Sequence, residues 1–226
     1  MPSDTGADWE RVLSCAARLQ QILPDAVLVG GTAAAVYAHH RYSKDADHVL
    51  PRLRERFDTV LAELEAIAGW TTARIKRPVM ILGNLDGIET GVRQLIRSAP
   101  LETTRLERSG QYLTLPTLAE ILRIKGILIL KRNATRDYLD FAALAEHSDD
   151  EQVVTALRDF DALYPQDNGE SALQQLQIQL ANPLPFDLEE TTLAEYKHLE
   201  PQWQKWSTVK AACLKIAILI FDRVVG

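Results

Sequence analysis

An apolar run that stops at a glycine pair and resumes as alanine-rich helix constrains this chain more than any other feature. Ala26-Val27-Leu28-Val29 is short and continuous, the texture of a buried strand, and it ends at Gly30-Gly31. Residues 32–39 then have helical composition, which puts the glycines at a strand-to-helix corner. Backbone N–H groups at the start of a helix, with no side chain in front of them, are what a phosphate cradle requires. Thirteen residues, 32–44, lead from there to Asp45-Ala46-Asp47. Carboxylates at i and i+2 on a strand share one face, as side-by-side divalent cations require. Taken singly, a tight turn and a solvated strand end account for these residues. Their order and spacing together favour a site for a metal-bound nucleoside triphosphate.

The flanking segments predict an α+β chain. Val12, Leu13, Ala16, Leu19 and Leu23 recur at helical spacing, with Asp8 as N-cap and Pro24 as the stop. A strand is expected at 46–50, and Pro51 suits the first turn of a helix running to about residue 68. Residues 72–77, 79–82, 88–96 and 112–115 alternate as strands, with Asn84-Leu85-Asp86-Gly87 as a turn. Beyond Thr117, whose spacing to Glu120 suits a capping box, helices are expected to 131 and at 135–147, 151–163, 170–180, 193–199 and 203–225. Asn182-Pro183-Leu184-Pro185 is the clearest break. The expected architecture is a mixed β-sheet flanked by helices over 1–116, then a helical C-terminal domain over 117–226.

Charge is unevenly spread within the net of −6. Residues 93–136 carry nine Lys and Arg against three acids, a net of +6, whereas 137–200 carry fifteen acids against two bases, a net of −13. The basic stretch is suited to phosphates, although solvated helix and strand faces account for it equally well. Cys15 and Cys213 lie far apart on amphipathic segments, so they read as buried hydrophobes rather than a disulfide or metal framework. The polar, acidic start does not read as a secretory leader, and the longest apolar stretch, 211–221, contains Lys215 and is short for a membrane span, so a cytoplasmic protein is expected. His39 and His40 read as a helix terminus, and His48 as structural. Ser14 and Ser171 lie outside any nucleophile-elbow pattern. Trp203, Trp206 and the 211–221 run read as the core face of a terminal helix.

Gly30-Gly31-Thr32-Ala33, then Arg41-Tyr42-Ser43-Lys44-Asp45-Ala46-Asp47, then Lys125, Arg132 and Arg136-Asp137-Tyr138-Leu139-Asp140 resemble the AbiEii/AbiGii toxins, MenT toxins included, of the polymerase-β-type nucleotidyltransferase superfamily. The resemblance spans roughly 27–147. It implies a nucleotidyltransferase core with a helical C-terminal half, a cognate antitoxin as partner and, in the MenT group, transfer of nucleotides to tRNA 3′ ends. By resemblance, Asp45 and Asp47 hold Mg²⁺ or Mn²⁺. Gly30, Gly31 and the N–H and hydroxyl of Thr32 hold the β- and γ-phosphates of the NTP, with Ser43 as a further contact. Lys125 neutralises the triphosphate, Asp137 is the later site acid with Asp140 close by, and Arg132 and Arg136 meet nucleotide or RNA phosphates. The superfamily's third carboxylate has only Glu89, or Asp86 in the preceding turn, as candidate. The expected function is transfer of an NMP from an NTP to a hydroxyl, RNA first among acceptors. A small-molecule or protein acceptor, or an NTP- or partner-binding protein without chemistry, stands as the alternative.

Overall fold

In the computed structural model, which describes residues 5–108 and 110–225, the chain divides into two units. The first comprises Met1–Ala33 and Ser43–Thr117, the second Ala34–Tyr42 and Leu118–Gly226. A cut at 116/117 is therefore not the only crossing, because 34–42 group with the helical part.

The first unit is built on a five-stranded mixed sheet, ordered β1 (Val27–Leu28), β2 (Asp45–Leu50), β5 (Ile88–Gln94), β4 (Met80–Leu85), β3 (Trp70–Lys76). Only β2 and β5 run parallel. Period-2 alternation gives the sheet two different faces. Leu50, Ile81 and Val92 pack on one face with Leu19 and Leu23 from around α1 (Thr5–Ile22) and with Leu53, Phe57, Val60 and Leu64 of α3 (Leu53–Glu65), all at most 5% exposed. Burying one such side chain contributes about 1.5–3 kcal/mol, so this face holds the sheet to its helices. The opposite face carries Asp45, Asp47 and Val49, each half-buried.

Local chemistry sets the connections. Asp86 and Gly87 both have positive φ, 53° and 85°, the backbone of a two-residue hairpin between β4 and β5. The turn is thus Asp86-Gly87 alone, with Asn84 and Leu85 inside β4. The Asn84 side chain accepts a bond from the Gly87 N–H at 2.7 Å, and Asp86 pairs with Arg18 of α1. Several sequence expectations need correction. Asp8 lies inside the first turn of α1, Pro51 sits in a turn before α3, and α3 ends at Glu65. A strand went unforeseen: β6 (Thr103–Arg108) pairs with β7 (Gln111–Pro116) as a separate hairpin.

The second unit is helical. It contains most of α2 (Gly30–Ala38), followed by α4 (Leu118–Arg132), α5 (Thr135–Glu146), α6 (Asp150–Leu157), α7 (Phe160–Leu163), α8 (Ala172–Ala181) and α9 (Trp206–Ile220). The helix expected over 151–163 breaks into α6 and α7, and 193–199 forms only a short 3₁₀ turn at Leu193–Glu195. The segment 203–225 divides into a 3₁₀ turn, α9 and a π turn. Trp203 is buried as expected, and Trp206 meets Tyr138 edge-on at 6.1 Å between ring centres. Cys15 and Cys213 are free and buried, and burial pushes their thiols up to about 11 and about 12. No described helix is long and apolar enough to cross a membrane.

Candidate functional site

In the first unit, the glycine corner and the carboxylate pair come together through β2. Val29 donates its N–H to the Asp47 carbonyl at 2.8 Å, which ties the end of the first strand segment to the acidic strand. α2 begins at Gly30, whose φ of +76° lies in the left-handed region that favours glycine. A Cβ placed on Gly30 would lie 3.6 Å from the Asp47 Cβ and 3.7 Å from its Oδ2. The start of α2 therefore faces the Asp47 side chain across a space about one methyl group wide.

The hydroxyls named in the sequence are engaged locally. Thr32, 1% exposed, donates its hydroxyl to the Asp45 carbonyl, which leaves its backbone N–H rather than its side chain for a ligand. Ser43 donates to Asp45 Oδ1 and so braces the carboxylate. Arg93 Nε lies 3.9 Å from Asp47 Oδ1.

Strand register separates the two acidic candidates, Glu89 and Asp86, by position. Asp45 is the Cα partner of Glu89 across the parallel β2–β5 ladder, and Asp47 is the partner of Gly91. Partners on adjacent strands share a face, so Glu89 stands beside Asp45 on the open face. Asp86 instead is held by Arg18.

Among the described residues no three His, Cys, Asp or Glu side chains converge as a ready-made metal cluster. Two anionic oxygen donors on one half-buried face nevertheless fit a hard divalent cation. Mg²⁺ characteristically takes one or two protein carboxylates and completes its octahedron with phosphate oxygens and water.

The second unit gathers the later motif into a buried charge cluster. Lys125 of α4, 2% exposed, lies 3.2 Å from Asp137 Oδ1 and 2.7 Å from Asp140 Oδ2, both acids fully buried on one face of α5. Asp140 is the hub. Arg41 reaches it through Nε at 2.8 Å and Nη2 at 3.0 Å, and His40 Nε2 lies 2.8 Å from its Oδ1. The Arg41 guanidinium also sits 5.3 Å from the Tyr196 ring centre. Burial works to raise the Asp140 pKa, but Arg41, then Lys125 and His40, outweigh it and hold the carboxyl well below the usual range. Arg132 and Arg136 are exposed, at the end of α4 and the first turn of α5.

His40 and Arg41 are the residues sequence reasoning did not place in this cluster. His39, with φ of +53°, does end α2, but His40 is a fully buried partner of Asp140. His48 is also fully buried. Among the described residues neither ring nitrogen has a partner in good hydrogen-bond geometry, and burial lowers its pKa to about 4 against the opposing pull of backbone groups at Ala46, Gly91 and Ala16.

Comparison with known proteins places these features in context. The family described as "Nucleotidyl transferase AbiEii toxin, Type IV TA system" matches residues 11–213. The structure of JHP933 from Helicobacter pylori superposes with a TM-score of 0.55 at 16% identity, covering 99% of this chain and 94% of that one. The antibiotic-resistance factor ANT(2'')-Ia gives a TM-score of 0.50 at 14% identity, covering 71% and 94%. These likenesses speak to the fold, a mixed α+β arrangement of nucleotidyltransferase type. Heme uptake protein MmpL11 of Mycobacterium tuberculosis is 30% identical over 231 residues, which take in 96% of this chain but 23% of that protein. The chain thus spans about a quarter of the length of the curated relatives it matches.

Proposed function

The chain belongs to the AbiEii nucleotidyltransferase toxin family, and from that premise we propose that it moves an NMP from an NTP to the hydroxyl of an RNA acceptor, a tRNA 3′ end in the first instance. The observation that carries this reading is the start of α2 at Gly30 facing Asp47, beside Asp45, whose register partner on β5 is Glu89, on the open face of the sheet.

The corner residues Gly30 and Gly31 and the N–H of Thr32 supply backbone donors for the β- and γ-phosphates at the start of α2, where the helix dipole favours anions. Asp45, braced by Ser43, and Asp47 would hold the divalent cation, and Glu89, the register partner of Asp45, would accept the proton of the attacking hydroxyl. Bound there, Mg²⁺ would supply Lewis acidity toward the nucleophile and the leaving oxygen. The acceptor oxygen attacks the α-phosphorus, the bond to the bridging oxygen breaks, and pyrophosphate leaves. In the second unit, Lys125 is the lysine to which the family resemblance assigns charge neutralisation, and its buried ammonium is paired with Asp137 and Asp140. Arg132 and Arg136 offer exposed guanidinium groups to phosphates. A toxin acting on RNA and NTPs works in the cytoplasm, alongside a cognate antitoxin.

The deciding experiment incubates the protein with each α-³²P-labelled NTP, Mg²⁺ and total tRNA, beside an Asp45→Ala variant. Label on RNA with the parent alone supports the reading. Label on neither, with NTP binding retained, removes RNA as the acceptor.

A further inference from the structure

The ladders of the five-stranded sheet connect the acidic strand to an edge that carries exposed cations. Asp47 pairs with Gly91, Gly91 with Leu82, and Leu82 with Arg74 of β3. One step along, Val49 pairs with Arg93, Arg93 with Met80, and Met80 with Lys76. Residues paired directly across a ladder project from the same face, so Arg74 and Lys76 share the open face with Asp45 and Asp47. The intervening row, His48, Val92 and Ile81, is fully buried on the opposite face, as this alternation demands. Three strand spacings put the cations about 14 Å from the carboxylates.

Arg74 and Lys76 are both exposed, and among the described residues neither makes an ion pair. Arg77, just beyond the strand, is by contrast engaged by Asp58 and lies over Phe57. β3 is the outermost strand of its sheet, so nothing in the ladder covers it. Between the two ends, the Arg93 guanidinium continues the positive row toward Asp47.

We propose that the β3 edge is the landing track for the phosphate backbone of a nucleic-acid acceptor, with Arg74 and Lys76 as contacts on the face that carries Asp45 and Asp47. The inference rests on the nucleotidyltransferase reading with RNA as acceptor, and it specifies where that acceptor lies. A polyanion laid from the edge inward meets positive charge first and the carboxylates last. A cationic small-molecule acceptor would be repelled along the same line.

The test measures binding of a fluorescent tRNA pool as a function of salt for the parent, an Arg74→Gln/Lys76→Gln variant and a charge-matched Arg158→Gln/Lys210→Gln control, with Mg²⁺-NTP affinity measured in parallel. Each single-strand phosphate contact contributes about 0.7 to the slope of log Kd against log salt, so the edge variant should lose about 1.4. Between 50 and 200 mM salt that is about a sevenfold difference in how far affinity falls. The control should keep the parent slope, and NTP affinity should match in all three. An unchanged slope in the edge variant overturns the inference while RNA transfer by the parent leaves the acceptor reading standing. Concentration-dependent self-association of that variant with an unchanged slope would assign the cations to edge protection instead. A parent that binds no RNA yet transfers NMP elsewhere overturns both the track and the RNA reading, but not the enzyme class.

Discussion

Arg41 meets Asp140 through two parallel hydrogen bonds, Nε to Oδ1 at 2.8 Å and Nη2 to Oδ2 at 3.0 Å, with the carboxylate fully buried and the guanidinium nearly so. Removing the charge of Asp140 leaves Arg41 and Lys125 facing one another's field without a shared anion. Asp140→Asn should therefore cost about 3–5 kcal/mol in urea unfolding. Arg41→Lys should be destabilising as well, because an ammonium cannot span both oxygens. The Asp140 carboxyl is held below its unfolded value, so its stabilisation is complete above the usual carboxylate range and is lost as pH falls toward the depressed folded value. An Asp140→Asn variant with parent stability would show that the cluster does not hold the helical unit.

Asp45→Ala and Asp47→Ala should each lower transfer by at least about 10³-fold, in the range of an electrostatic stabiliser removed from a transition state. Their melting temperatures should stay within a few degrees of the parent, since both side chains are half-buried on the open face. EDTA should abolish transfer without shifting the melting temperature. A large drop in melting temperature on chelation would make the metal structural instead.

The two glycines of the corner should separate in their effects. Gly30 has φ of +76°, so Gly30→Ala carries strain of about 1–2 kcal/mol and adds a methyl 3.7 Å from Asp47 Oδ2. Gly31 lies within α2 and has no positive φ, so Gly31→Ala should leave stability unchanged or raise it by up to about 1 kcal/mol. If the α2 start cradles phosphate, Gly31→Ala should still weaken NTP binding, read by isothermal titration. Unaltered NTP affinity in Gly31→Ala would remove that glycine from the cradle.

His48 makes the first unit sensitive to acid. Its folded pKa of about 4 lies below the unfolded value near 6.5, so the unfolded chain binds the proton first. Stability should fall as pH drops from about 6.5 to about 4, by an amount on the order of 3 kcal/mol. His48→Leu, close in volume and without ring nitrogens, should flatten that slope. Urea midpoints at pH 4.5 and 7.5 for both proteins decide the matter, and equal slopes would locate the acid sensitivity elsewhere.

What the residues alone revealed was local. The apolar run, the glycine pair and Asp45-Ala46-Asp47 lie within 22 consecutive positions, and helix and strand periodicity put each on its element. The place of Glu89 was not legible, because it depends on the register between strands 44 residues apart. His40 and Arg41 were seen as a helix end and a motif residue, while their partner Asp140 lies about a hundred positions away. β6 was missed because five of the six residues of Thr103–Arg108 are exposed, so no alternation marks them as strand. The Asp86-Gly87 hairpin, by contrast, was readable from composition, since aspartate and glycine tolerate the positive φ it needs.

The chain enters the helical unit at Ala34 and leaves it at Tyr42 before completing the sheet. A gene fragment beginning at residue 117 would consequently encode the bundle without the two side chains that secure Asp140. Its partner fragment would carry His40 and Arg41 with nothing to bind. Neither half is a transferable module, and exchange of C-terminal halves between relatives would have to carry the 34–42 excursion with it. That excursion puts residues that must drift together, His40 and Arg41 with Asp140, on opposite sides of most of the sheet-forming sequence.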